Sequence, residues 1–310
     1  SSGSWSQLGS DIDGASAGDG FGYPLSLNKN GDIIAISAQF NDDNGSNAGH
    51  VRVYQYSSGS WSQLGSDIDG ASAGDQIGLG LAINDNGDRV AMGSILNGAG
   101  FVSVYQYSSG SWTKLGSDII GEIVGDRFGY SLSFNSSGSR LAVGAHLNDG
   151  NGSNAGHVRV FDYSNNSWTQ IGSDIDAEAA GDRFGVSLSL NDSGDRLAVG
   201  AVLNDGSGSD AGHVRLYQFS SGSWNQLGSD IDAEAAGDRF GQYVSLNSLG
   251  DRLAVGASNN DGSGSDAGHV RVFTVSDITS PTITATSLAS DNATIAVTLS
   301  EAVFNTNTGS

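Results

Sequence analysis

The chain has 310 residues, 47 of them Gly, with 2 Pro, 1 Met and no Cys; 34 acids against 13 bases give a formal net charge of −21. That balance excludes a phosphate-tracking surface, which needs clustered Lys and Arg, and excludes adhesion to anionic lipid. No apolar run approaches a bilayer span, no signal peptide is visible, and the lack of Cys removes disulfides, thiolate catalysis and Cys–zinc sites.

The chain opens on SSGSWSQLGS, a lone strand-like run. Its Trp recurs at 61, 112, 168 and 224, at spacings of 56, 51, 56 and 56. A Gly-Asp pair recurs in step at 18, 74, 125, 181 and 237, and Phe-Gly follows at 21, 128, 184 and 240, with Ile77-Gly78 in the second copy. The short spacing reflects a shortened loop, LNGAG, where other copies carry forms such as LNDGSGSDAG. In each copy a run such as VSLSLN precedes a tight NDSGD turn, a second run RLAVGA, a long polar loop, and a third run HVRLYQF. An SSGS turn then leads to a fourth run at the Trp. Apolar and polar residues alternate in the third run, and no segment carries a helical period. Four short antiparallel strands per copy predict propeller blades.

The ends predict how the ring closes. The fifth copy ends near Phe273 without a Trp strand of its own, and the opening strand is spare. The expected fold is an all-β, five-bladed β-propeller over 1–275, with residues 4–9 pairing against 269–274 so that no blade edge is exposed. From 276 to 310 the composition shifts to Thr, Ala and Ile behind Pro281. That stretch reads as a linker and the truncated start of a bacterial immunoglobulin-like sandwich, which needs about 100 residues to close.

Gly-Asp-Arg-Phe-Gly, Leu-Ala-Val-Gly-Ala and Ala-Gly-His-Val-Arg-Val-Phe resemble the FG-GAP repeat, the blade unit of integrin-α-like propellers and of many secreted bacterial proteins. The resemblance spans residues 5–275 and implies an extracellular or cell-surface location. Phe-Gly matches at 21–22, 128–129, 184–185 and 240–241. The family's Gly-Ala-Pro matches Gly144-Ala145, Gly200-Ala201 and Gly256-Ala257, all without the Pro. Integrin-type blades carry a long Asp-rich Ca²⁺ loop between these motifs. Here only short turns stand there, such as Asn191–Asp195, and Asn135–Ser139 has no acid.

The acids are 30 Asp and 4 Glu, and strand alternation sends 24 of the 34 to one face, on the fourth-to-first and second-to-third strand loops. Asp11, Asp13 and Asp19 space carboxylates along the first such loop; Asp67, Asp69 and Asp75 repeat the pattern. Asp174, Asp176, Glu178 and Asp182, then Asp230, Asp232, Glu234 and Asp238, extend it. The spacing suits a wrapping oxygen-ligand loop for Ca²⁺; it equally suits Asp capping loop amides. The third copy has Asp118 but Ile120 and is the weakest candidate. Asp149, Asn151, Asn154, Asp205, Asp210, Asp261 and Asp266, on the second-to-third strand loops, form a candidate ligand-binding face; flexible loops without a ligand are the alternative. The five Trp are expected between blades and mostly buried, stacking on sugar rings being the alternative, and Arg127, Arg183 and Arg239 in ion pairs. Four His start the third strands (His50, His157, His213, His269), too far apart for one shared transition-metal site.

Catalysis needs a unique constellation, and these copies look nearly alike. The expectation is a non-enzymatic extracellular adhesion or binding module of a larger protein. It would be a monomeric ring taking a glycan or protein partner with possible Ca²⁺ assistance, without nucleic acid or membrane insertion. A passive spacer, or the accessory domain of a secreted hydrolase, is the alternative.

Overall fold

The computed structural model describes residues 3–275 and two further strands, Ile283–Leu288 and Ile295–Leu299. The chain divides into two compact units, 1–275 and 276–310. In the second, the two strands pair antiparallel; the rest of the immunoglobulin-like reading lies outside the described residues.

The first unit is an all-β propeller of five antiparallel sheets, and no helix occurs among its described residues. The fourth blade shows the pattern. Its inner strand Phe184–Leu190 pairs with Arg196–Ala201, which pairs with His213–Ser220. The outer run is broken in two: Ser223–Gln226 pairs with one end of the third strand and Ile231–Asp232 with the other. The break falls at Gly228, in a left-handed conformation open to Gly. The second strand lies between two layers, so Leu197, Ala198, Val199 and Ala201 are fully buried; this is why RLAVGA reads as a nearly unbroken apolar run. The turn between inner and second strands is set by one Asn per copy. Asn191 Oδ1 accepts from the Arg196 amide at 2.9 Å, and its Nδ2 donates to Asp195 at 2.9 Å.

Neighbouring blades meet glycine against glycine. A Cβ on Gly144 would lie 2.3 Å from the Gly185 carbonyl oxygen, and one on Gly200 would lie 2.1 Å from that of Gly241. These are the second-strand Gly of one blade and the Phe-Gly glycine of the next, so the two glycine motifs are the two sides of one contact. Phe128, Phe184 and Phe240 fill the core beside it, fully buried. Further out, Trp61, Trp112 and Trp168 donate their indole N–H to the carbonyls of Leu8, Leu64 and Leu115 at 2.7–2.9 Å. Four Trp sit between blades, as expected, but are half-buried rather than mostly buried. Trp5 is the exception and is fully exposed.

The expected pairing of residues 4–9 with 269–274 is not formed. The fifth sheet has three strands, Phe240–Leu246, Arg252–Ala257 and His269–Thr274, and residues 4–9 belong to no sheet. The opening segment takes an outer-strand position toward the first blade only, through the Leu8 carbonyl. The exposures follow: Val270 is 70% exposed where its counterparts Val158 and Val214 are fully buried. Gly22 and Gly256, the two sides of a fifth glycine contact, have nothing closer than 3.9 Å at a Cβ.

Candidate functional site

The Asp-x-Asp loops do not form one ligand cage. Their first carboxylates turn to the third strand. Asp67 accepts from Arg52 Nη2 at 2.7 Å, and Asp230 takes a two-pronged contact from Arg215 at 2.8 and 3.0 Å. Arg52 and Arg215 hold Asp67 and Asp230 below the usual carboxylate range. Asp174 lies 3.7 Å from Arg159 Nε and accepts from Gln170 at 2.6 Å. Among the described residues Asp11 accepts from Gln7, at 2.8 Å. The second carboxylates, Asp13, Asp69, Asp176 and Asp232, are exposed, as are Glu178 and Glu234; Glu178 pairs with Arg215 of the following blade, and Glu234 lies 3.8 Å from Arg271.

The Gly-Asp carboxylates have the capping role. Asp19, Asp75, Asp126, Asp182 and Asp238 are all buried. Asp182 accepts from the Ala179 amide at 3.1 Å, Asp238 from the Ala235 amide at 3.0 Å, and Asp75 from the Ser72 amide at 2.9 Å. An Asn from the neighbouring long loop completes several of them: Asn148 reaches Asp126 at 2.7 Å, and Asn41 and Asn260 reach Asp19 and Asp238 at 3.1 Å.

The long loops are closed on themselves. Asp149 accepts from the Asn154 amide, Asp205 from the Asp210 amide and Asp261 from the Asp266 amide, at 2.7–2.8 Å. Asn154, Asp210 and Asp266 are left-handed at φ 50–52°, a conformation short polar side chains tolerate. Asn151 spends its amide on the Ala177 carbonyl at 2.6 Å. These seven candidates thus have structural uses and are repeated blade by blade rather than gathered at one place.

Three carboxylate–imidazole groups do come together: Asp43/His50/Asp67, Glu122/His157/Asp174 and Glu178/His213/Asp230. His50 is fully buried, with neither ring nitrogen hydrogen-bonded. Its Nδ1 lies 3.8 Å from Asp67. Burial lowers the pKa of His50, His157 and His213, so all three are neutral imidazoles at pH 7. Asp69 is pushed up, first by what partial burial its carboxyl has and then by the nearby Asp67 and Asp43.

Among the described residues, a cavity to which all five blades contribute lies on the axis. It measures about 520 Å³ and is lined by the three residues following Phe-Gly (Ile-Gly in the second blade) in every blade. The third of those positions, Leu25, Leu81, Leu132, Leu188 and Val244, is uniformly apolar. The first position is not: it holds Tyr23, Leu79, Tyr130, Val186 and Gln242. Tyr243 at the second position adds a third phenol. Tyr23 and Tyr243 are 68% and 73% exposed, and both act electrostatically on Tyr130, whose hydroxyl burial pushes up. Behind Tyr130 stands His146, with ring centroids 4.1 Å apart. Burial, and then the charges of Arg127 and Arg183, push His146 down to about 3. At the opposite turns Lys29 crosses from the first blade to Asp85 of the second at 3.1 Å and Asp192 of the fourth at 2.5 Å.

Sequence reasoning missed this pocket. His146 stands where other copies have Gln39, Ile95, Val202 and Ser258, a difference visible in the aligned copies. The expected ion pairs of Arg127, Arg183 and Arg239 are also not made: among the described residues no carboxylate lies within salt-bridge distance of them. The arginines that pair on this face are those of the third strands.

Residues 123–161, which include the inner and second strands of the third blade and the first part of its third strand, match the FG-GAP repeat family. No curated protein matches the chain. Among solved structures it is similar to a functionally unknown protein from Desulfotomaculum acetoxidans DSM 771, with a TM-score of 0.55 at 9% identity over 92% of this chain and 70% of that one. Hydrazine synthase of Kuenenia stuttgartiensis gives 0.52 at 13% identity over 81% and 64%. The β-propeller domain of the trilobed protease of Pyrococcus furiosus, described as having an open velcro topology, gives 0.48 at 12% over 90% and 78%. At such identities the likeness concerns the fold alone. With the Phe-Gly and Gly-Ala motifs meeting between the third and fourth and between the fourth and fifth blades, the first unit is an FG-GAP-like β-propeller.

Proposed function

We propose that the chain is a non-enzymatic, extracellular binding module whose ligand enters the axial pocket between the five inner strands. The observation that carries this reading is the divergence of the copies at the first pocket layer. Positions that hold the blades together repeat, whereas Tyr23, Leu79, Tyr130, Val186 and Gln242 do not. Side chains facing a shared space can differ without disturbing a blade contact. Two exposed phenols over an apolar floor suit shallow recognition of a glycan or a protein loop. The lining residues include no acid, imidazole or amine, and the neutral, covered His146 is a packing partner of Tyr130; this favours binding over turnover. The FG-GAP repeat supports an extracellular place, and no described helix is long and apolar enough to cross a membrane.

Calcium assistance belongs to this reading through Asp43, Asp67 and Asp69. Asp43 and Asp67 come together beside His50, with Asp69 next but one in the chain to Asp67, and carboxylate oxygens are the ligands a hard cation takes. The test is a glycan and protein array probed with and without Ca²⁺, using wild type and Tyr23→Ala/Tyr243→Ala. Ligands lost in the double variant support the axial site. Ligands that bind both proteins equally overturn it.

A further inference from the structure

The residue just before each Phe-Gly, or before Ile-Gly in the second copy, is left-handed in all five copies: Gly20, Gln76, Arg127, Arg183 and Arg239, with φ between 47° and 70°. Gly20 shows that this turn needs no side chain. Every L side chain is disfavoured in that region, and Arg lacks the local hydrogen bond by which Asn or Asp tolerates it. Three copies nevertheless carry Arg there. Such strain persists where something else requires the residue.

Nothing within the described protein requires it. No carboxylate pairs with the three guanidinium groups, although this is the face that carries most of the acids. The adjoining acids, Asp126, Asp182 and Asp238, are buried and turned away to loop amides and Asn side chains. All three arginines stand in the chain three residues ahead of a pocket-lining residue. Their carbonyls accept from the amides of Tyr130, Val186 and Gln242 at 3.2–3.3 Å, and those three residues form part of the first pocket layer. The charges of Arg127 and Arg183 are felt at Tyr130 and at His146 behind it. A cationic rim on three consecutive blades thus stands over a pocket with exposed Tyr23 and Tyr243, inside an acidic face.

From the unpaired arginines and the aromatic axial cavity we infer that the pocket binds an acidic saccharide, its carboxylates against Arg127, Arg183 and Arg239 and its ring faces against Tyr23, Tyr130 and Tyr243. The inference rests on the axial binding reading above and names its ligand class. Guanidinium groups match carboxylates with paired N–H donors. Tyr offers an apolar ring with a polar rim, which suits the amphipathic face of a sugar. Uncharged sugars would leave the rim unused, and a bare carboxylate would leave the phenols unused.

The test is calorimetric titration at 0.15 M salt with trigalacturonate and with its fully methyl-esterified form, which keeps the shape and removes the charge. The protein is the full chain, as wild type and as Arg127→Gly/Arg183→Gly/Arg239→Gly. Glycine suits the left-handed turn, so the triple variant should melt no lower than wild type. Binding of the acid at least tenfold tighter than the ester, and lost at least tenfold in the triple variant, is the expected result. Equal binding of acid and ester overturns the acidic class but leaves the axial binding reading standing. Binding of neither overturns the inference, while the array above judges the axial reading separately. A triple variant that melts well below wild type and keeps its affinity makes the arginines structural and overturns it as well.

Discussion

Gly144 and Gly185 approach so closely across the third and fourth blades that a Cβ on Gly144 would stand 2.3 Å from the Gly185 carbonyl oxygen. Both sides of this contact are backbone, so neither can swing aside. Gly144→Ala should therefore force the blades apart and cost about 1–3 kcal/mol, the range for overpacked sites. Gly256 occupies the same motif position with nothing closer than 3.9 Å, so Gly256→Ala should be near neutral. Denaturant unfolding of the two variants checks this. Equal losses would mean that the glycine contact does not hold the blades.

The indoles give a second comparison between equivalent positions. Trp168 donates to the Leu115 carbonyl at 2.9 Å and packs on Tyr163 at 5.1 Å between centroids. Trp168→Ala should cost roughly 3 kcal/mol, at the lower end for aromatic truncation because the ring is only half-buried. Trp5 is fully exposed, and Trp5→Ala should change stability by less than about 0.5 kcal/mol. A large loss at Trp5 would show that the opening segment pairs in solution.

The blade pattern was legible because each strand lies at a fixed distance from its Trp and Phe-Gly. The fate of the acids was less so. Asp67 and Arg52 are 15 residues apart, and their contact depends on the short strand Ile68–Asp69 folding back on His50–Ser57, across a break in the outer run that periodicity does not mark. The pocket was hidden for the opposite reason. Similarity between copies marks positions that build the blade, and attention to it passes over Tyr23, Tyr130 and Gln242, which differ from copy to copy and line the shared pocket. The strain at Arg127, Arg183 and Arg239 was not readable either, since φ is not a property of the motif's letters.

The two roles assigned to the loop acids separate on chelation. Asp126 takes the Asn148 amide at 2.7 Å, and both are buried. Asp126→Ala strands that amide and should cost about 2 kcal/mol, by the same amount with or without EDTA. Asp69 makes no such bond. If calcium binds beside it, Ca²⁺ raises the melting temperature of wild type by mass action, and Asp69→Asn should remove most of that rise. A calcium response unchanged in Asp69→Asn would displace the cation from this cluster.

Acid should weaken the fold well above the carboxylate range, because of histidines. His146 is pushed down to about 3 by burial and then by Arg127 and Arg183. Burial also lowers His50, His157 and His213. In the unfolded chain all four return to about 6.5. Above that pH both states are neutral and the stabilising contribution is complete. As pH falls below 6.5 the unfolded chain takes up protons that the folded chain refuses, so stability is lost progressively down to the folded values, about 3 for His146. Each such imidazole adds a slope of up to about 1.4 kcal/mol per pH unit. Asp67 and Asp230, lowered by Arg52 and Arg215, enter only below their usual value of 3.8. Asp69 is raised and opposes them in that range. Between pH 6.5 and 5.0 the histidines therefore dominate. His146→Val, the residue of the fourth copy at Val202, removes one of the four. Its stability loss between pH 7.5 and 5.0, measured by denaturant unfolding, should be smaller than that of wild type by about 2 kcal/mol. Parallel losses in the two proteins would mean that His146 is protonated in the folded state and is not the covered neutral partner of Tyr130.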